Sequence, residues 1–299
     1  GRDDVRIITE NVGFGADKNT VYRGAERLIL EEDCSVVLAY ISHRSANLLR
    51  PLFMSTNRIL IVLDAGVNLP QEWPSTPNIL FHSLHNCLGA WFAGKLAAES
   101  GHTVGGMVTG YYDGGYLHTA AITEGFVKHG GKIEFNHATG YKTDDFSMEP
   151  LKGLMNPNDT SCLLSLFSGD FNEWFLRDIN ETFPDRTPPI YKAPFALEET
   201  MLERTPYTIN SIRGISTWTK KLKNPENIEF VQIMKEAGFE ANLFSLLGWE
   251  TALIATTALD LMLLHKNNGR EVTNTLKEST FQTPRGHIKF HHESNTTLS

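Results

Sequence analysis

The feature that most constrains this chain is a recurring alternation. Short, almost unbroken apolar runs are separated by stretches whose apolar residues return every three or four positions. Val36-Val37-Leu38-Ala39-Tyr40-Ile41 is one such run, inside a strand expected over 35–41. A helix is expected from about Ser45 to Ser55, and another strand over 58–63. Strands without apolar–polar alternation are buried on both faces, the condition of a parallel sheet covered by helices. Ahead of them lie a short extended run at Val5–Glu10 and a helix capped by Asn19 or Thr20, with Val21, Ala25, Leu28 and Ile29 on one face.

After prolines at 70, 74 and 77 a second series begins. Leu88, Trp91, Phe92 and Leu96 mark one side of a helix that Gly101 ends. Strands are expected over 103–110, 132–138, 161–167 and 188–193, with helices over 116–131, 144–155 and 170–183 between them. The last third reads as a strand at 211–218, helices at 227–238 and 246–265, and a turn leading into a strand within 283–294. The whole predicts an α/β chain of doubly wound parallel sheets in two lobes.

Composition narrows the function. With 299 residues, 41% of them apolar, a sizeable core is available and disorder is excluded. A net charge of −8 argues against nucleic acid as a partner. The longest apolar run, 243–264, carries Glu250 and Asp260, which fits a buried helix better than a membrane span. No leader is visible at Gly1-Arg2-Asp3, so the chain is either cytosolic or defined without its leader. Cys34, Cys87 and Cys162 fit no metal spacing.

Catalytic motifs are weak. A serine hydrolase of the α/β type needs G-x-S-x-G at a strand-to-helix turn, and "ISHRSAN" has no glycine flanking Ser42 or Ser45. "GYYDGGY" at 110–116 follows a strand and precedes a helix, yet it spells neither G-x-G-x-x-G nor a P-loop. It reads as a tight turn. No His, Cys or carboxylate cluster has metal-ligand spacing, and no cofactor is expected.

Taken in order, "AERLILEEDCSVVLAYISHRSANLLRPLF", "ILIVLDAGVNLP", "AGKLAAESGHTVGGMVTGYYDGGY", "EGFVKHGGKIEF" and "FQTPRGHIKF" resemble type I periplasmic solute-binding proteins. They look most like the branched-chain amino-acid (Leu/Ile/Val) binding family of ABC importers. The resemblance implies two α/β lobes clamping a ligand, with crossovers near 80–86, 211–217 and 281–286. One lobe would be 1–83 plus 212–282, the other 84–211 plus 283–299. It implies binding without catalysis of a small carboxylate-bearing molecule, an amino acid or a related acid. The partner would be an ABC permease in the membrane, and the location periplasmic or extracellular, with or without a lipid anchor. The family also begins with a strand and helix before the segment matched by Val5–Glu10, and nothing in this chain corresponds to them.

The resemblance carries over to particular residues. Ser42, Ser45 and the N–H groups of the helix start would hold the ligand carboxylate, with His43 and Arg44 adding positive charge. A cap-and-turn role for the same serines stays open. Asp64, Ala65 and Gly66 form the second contact loop, where Asp64 could meet an ammonium or serve the loop alone. From the other lobe come an aromatic among Tyr111, Tyr112 and Tyr116, and Phe167 with Ser168 after the next strand. Where the branched-chain binders place an acid, this chain has Ala193-Pro194-Phe195, with Glu198 and Glu199 only later. That departure weighs against an ordinary α-amino acid. Two other readings remain: a ligand sensor of the same fold without transport, and an α/β enzyme using His43 or Asp64.

Overall fold

The computed structural model describes residues 4–298 apart from 14, 16, 68–75, 156–159 and 205–210. Pro70 and Pro74 of the proline stretch therefore lie outside the described residues, while Asp64, Ala65 and Gly66 of the expected contact loop are described. Along the chain the elements are α1 (Lys18–Glu26), β1 (Val36–Ala39), α2 (His43–Leu48), α3 (Arg50–Thr56), β2 (Ile59–Asp64), β3 (Ile79–Ser83), α4 (Asn86–Glu99), β4 (Val104–Thr109), α5 (Leu117–Lys128) and β5 (Lys132–Ala138). Then come α6 (Leu151–Leu154), β6 (Ser161–Leu166), α7 (Asp170–Thr182), β7 (Ile190–Lys192), α8 (Glu199–Arg204) and β8 (Ile212–Gly214). The chain closes with α9 (Pro225–Glu236), α10 (Leu243–Leu264), α11 (Gly269–Glu278), β9 (Phe281–Thr283), β10 (Gly286–Phe290) and β11 (Thr297–Leu298). Val5–Glu10 forms no strand, and the helix expected over 144–155 shrinks to the single turn α6.

The chain divides into two compact units. The first holds 1–65, 70–84 and 222–299. Its parallel sheet has the order β1-β2-β3. Leu60, Val62 and Ile79 face one way, onto Val21, Ala25, Ile29, Leu49 and Phe53 from the helices before β2. Ile59, Ile61 and Leu80 face the other way, onto Ile254, Ala258 and Met262 of α10 and Val272 and Leu276 of α11. Burial on both faces holds for β2, as its unbroken apolar run demanded, whereas β1 at the sheet edge leaves Leu38 exposed. The strand β3 was not anticipated.

The C-terminal strands correct the expected lobe boundaries. Ile288 and Phe290 of β10 and Phe281 of β9 belong to the same core as Ile59 and Leu80, so 283–299 pack with the first unit. A ring of buried polar bonds fastens them there. Arg285, in the β9–β10 turn, donates from Nε to Glu250 of α10 at 3.1 Å and from Nη2 to the carbonyl of Ser83 at 3.0 Å. His82 Nε2 lies 2.9 Å from the other Glu250 oxygen, and its Nδ1 lies 3.3 Å from Thr297 Oγ1, which accepts from Ser83 N. Burial alone would raise the Glu250 carboxyl, but the His82 hydrogen bond and the Arg285 guanidinium outweigh it and hold the group below its ordinary value. Burial holds His82 below its ordinary value, against the pull of the Glu250 carboxylate beside it.

The second unit holds Gly66–Leu69 and His85–Lys221. Its five parallel strands run β5-β4-β6-β7-β8, a doubly wound order. Met107, Leu164 and Tyr191 pack under Ala90, Ala93 and Ile122 of α4 and α5. On the opposite face Val108, Leu163 and Ile190 meet Phe175 and Ile179 of α7. The two helices α4 and α5 approach backbone to backbone: a Cβ added at Gly94 would sit 1.9 Å from the Ile122 carbonyl oxygen, and one at Gly125 1.9 Å from that of Trp91. Because the strands within the β1-β2-β3 sheet and within the five-stranded sheet are parallel, the C-terminal ends in each share one edge, whereas β9, β10 and β11 form a separate antiparallel sheet. Those edges end at Ala39, Asp64 and Ser83 in the first unit, and at Thr109, Leu166 and Lys192 in the second. Ligands of open α/β sheets bind at such edges.

Candidate functional site

In the first unit the loop after β1 is a capped helix start. Ser42 adopts extended backbone, and its side chain accepts from Ser45 N at 3.1 Å, the geometry of an N-cap. Its hydroxyl also donates to Ser45 Oγ at 3.1 Å, and Ser45 Oγ donates to the Gly15 carbonyl at 3.1 Å. The cap-and-turn role is therefore present in the structure. Ser42 is exposed while Ser45 is buried, so the hydroxyl within reach of a solute is that of Ser42. Arg44 is exposed beside it.

Two residues expected to act separately are found together. His43 Nε2 lies 3.1 Å from Asp64 Oδ2, and the His43 ring packs on Phe81 with centroids 4.5 Å apart. Asp64 is almost wholly buried at the end of β2. The pair joins the loops after β1 and β2 and engages one oxygen of the Asp64 carboxylate. Burial, with the Asp64 charge nearby, pushes the Tyr40 hydroxyl up from its ordinary value. Ala65 is buried after Asp64.

Gly66 belongs to the second unit, where its role is steric. Its φ is +72°, and an added Cβ would lie 2.4 Å from the backbone nitrogens of His85 and Asn86 at the start of α4. Its carbonyl accepts from Cys87 N at 2.7 Å.

The remaining candidates of the second unit are not brought together in one place. Tyr111 and Tyr112 are exposed after β4, edge to face with centroids 4.9 Å apart, and Tyr141 stands 5.5 Å from Tyr111. Tyr116 opens α5 and lines a surface groove of about 500 Å³ with Met107, Thr119, Thr123 and Asn136. Ser168 is held by Asp113, whose buried carboxylate accepts from Ser168 N at 3.1 Å and Ser168 Oγ at 2.7 Å. Phe195 packs against the His118 ring at 5.1 Å. Phe167 does not line a pocket. It is fully buried and stacks on Phe175 at 4.4 Å, because α7 folds back over the end of β6.

Two polar residues at these strand ends were not assigned a role from sequence. Asp113 ties the loop after β4 to the loop after β6, where "GYYDGGY" read only as a turn. Lys192 ends β7 fully buried, its amine bonded to Asn172 Oδ1 and lying 4.8 Å from the centre of the Phe175 ring. Burial brings its amine down to about 7. A charged residue inside the apolar-flanked "IYKAPF" was its only sequence signal.

Comparison with known proteins agrees with this architecture. A family model described as periplasmic binding protein matches residues 1–298. No curated protein matches the chain. Among solved structures, an ABC transporter substrate-binding protein from Sphaerobacter thermophilus is 19% identical with a TM-score of 0.79, covering 96% of this chain and 79% of that one. A solute-binding protein of an ABC transporter from Rhodopseudomonas palustris HaA2, solved with p-hydroxybenzoic acid, is 17% identical with a TM-score of 0.74, covering 95% and 77%. An ABC-type branched-chain amino acid transporter protein from Rhodopseudomonas palustris CGA009 is 18% identical with a TM-score of 0.68, covering 95% and 76%. At such identities the likeness shows the fold.

Proposed function

The chain belongs to the periplasmic binding protein family, and on that premise we propose that it captures a small aromatic carboxylate outside the cytoplasm for an ABC importer. The observation that carries the ligand class is the His43–Asp64 pair. It already engages the strand-end carboxylate of the first unit on which an α-amino group would call, while Phe195 stands where the resemblance to branched-chain binders called for an acid. An amino acid would bring its ammonium to a carboxylate already engaged by His43, with no acid at the Phe195 position, a poor match in a desolvated site.

What remains suits an aryl acid. Ser42 and Arg44 stand exposed at the start of α2, with a hydroxyl and a cation for a carboxylate. The second unit, taken by itself, carries Tyr111, Tyr112 and Phe195 near its own strand ends, aromatic surfaces of the kind an aryl ring packs on. The p-hydroxybenzoic acid complex of one structural relative is in keeping with this class. Binding would proceed without turnover.

A thermal-shift panel of benzoate, 4-hydroxybenzoate, leucine and acetate tests the reading. A ligand at 100 times its Kd adds about 2.7 kcal/mol of stability. The aromatic acids should raise the melting temperature and leucine should not. A shift with leucine alone would contradict the proposal.

A further inference from the structure

The strand β1 is the outer strand of the β1-β2-β3 sheet. Ile59 N donates to the Ser35 carbonyl, and the parallel register that pairs Val36 with Ile59 turns the backbone groups of Val37 and Ala39 toward β2. Those of Val36, Leu38 and Tyr40 point the other way, and none of them has a backbone partner among the described residues. The side chains of Val36, Leu38 and Tyr40 share one face. Leu38 is 46% exposed there and Tyr40 58%.

An edge of this kind is a template for another strand, and proteins blunt such edges with charges, prolines or bulges. The molecule holds a contrast. The edge strand β5 carries exposed Lys132 and Glu134, and its register against β4 shifts at Gly105/Gly106. Val36-Val37-Leu38-Ala39-Tyr40 has no charge, proline or glycine. Charge stands at its two ends instead. Glu31 and Asp33 are exposed before it, and Arg44 is exposed after it.

We propose that β1 is an interface between two copies of this chain, paired antiparallel about a two-fold axis at Leu38. In that register Leu38 lies opposite the second copy's Leu38, and Val36 opposite its Tyr40. The outward backbone groups of β1 then all find partners in hydrogen-bonded pairs. Tyr40 packs across the axis on Val36, a favourable aromatic–β-branched pair. The acidic start of each strand comes beside the basic end of the other, which a parallel arrangement would not give. The pairing is isologous, so it closes at two copies and leaves no β1 edge for a third.

Sedimentation velocity of the purified full chain over a concentration series tests it. The expected species at the upper end has twice the 33.5 kDa mass of one chain. Leu38→Lys sets two ammonium groups face to face at the axis and should raise the dimer dissociation constant about tenfold or more. The side chain it replaces is half exposed, so helical content by circular dichroism should be unchanged. Leu38→Pro deletes an edge N–H that β2 does not use, and should weaken the dimer likewise. Cross-linking reads the register. Facing residues of a hydrogen-bonded antiparallel pair have Cα atoms about 5.5 Å apart, within disulfide reach. Leu38→Cys oxidised with diamide should therefore give a covalent dimer, while Tyr40→Cys, which faces Val36, should cross-link no more than the wild type. A chain that stays monomeric throughout, as when the edge takes a strand from some other polypeptide, overturns the proposal. So does a dimer that persists in both Leu38→Lys and Leu38→Pro, or one in which Tyr40→Cys cross-links as readily as Leu38→Cys.

Discussion

Ser42 shows how a residue can serve structure and function with one atom. Its hydroxyl caps α2, and it is exposed. Aspartate caps helices as well as serine does, but it would place a carboxylate where an anionic ligand is proposed to sit. Ser42→Asp should therefore keep its unfolding free energy within about 1 kcal/mol of wild type while losing aromatic-acid binding, as urea titration and calorimetry would show. The cap was legible in the sequence because a serine between an apolar strand and a helix has few other uses. The His43–Asp64 pair was not, since it joins two loops 21 positions apart in the chain. Phe167 misled for a related reason. Strand periodicity gives the face of a side chain, but whether that face is open depends on the helix that returns over it, here through Phe175. Lys192 gives a second test at this scale. Its amine titrates near 7 in the folded chain against 10.5 ordinarily. Between those values the unfolded chain holds the proton and the folded chain does not, so stability rises with pH through this window and is lowest below it. Lys192→Met should remove that rise, worth about 3–5 kcal/mol, in urea unfolding followed from pH 6.5 to 10.

Among the elements, the β9–β10 hairpin carries the clearest energetic claim. Its turn residue Arg285 enters a site where its side chain is 1% exposed and that of Glu250 is 0% exposed. Removing one partner of such a pair leaves a buried charge uncompensated. Arg285→Met should cost about 3–5 kcal/mol, seen as a lower urea midpoint with helical content intact before the transition. The wild type should also lose stability as the medium is acidified. The lowered Glu250 carboxyl contributes stability above its ordinary value of 4.5, lost as the pH falls through its folded value. Neutral His82 adds a loss in the same direction as the pH falls below 6.5. The Arg285→Met variant should show a weaker acid dependence below pH 4.5, where the lowered Glu250 carboxyl takes up its proton. Sequence periodicity located α10 and the strand after Gly286, but it could not show that Glu250, inside the longest apolar run, faces a histidine and an arginine from distant segments.

At the scale of the molecule, the unbroken apolar strands forced parallel sheets covered on both faces, and both units have them. How the chain is shared between the units was less legible. The C-terminal strands were assigned to the second lobe, yet Ile288 and Phe290 complete the core of the first. Apolar residues on a short strand show that it is buried without showing against what. The central claim is capture of an aromatic carboxylate without conversion. Its most direct test is calorimetric titration of the full chain with benzoate, 4-hydroxybenzoate and leucine, followed by chemical recovery of the bound compound. The account predicts that an aromatic acid binds with a Kd of about 10 μM or tighter, ahead of leucine, and is recovered unchanged. Binding of leucine without either aromatic acid, or recovery of a converted product, would contradict it.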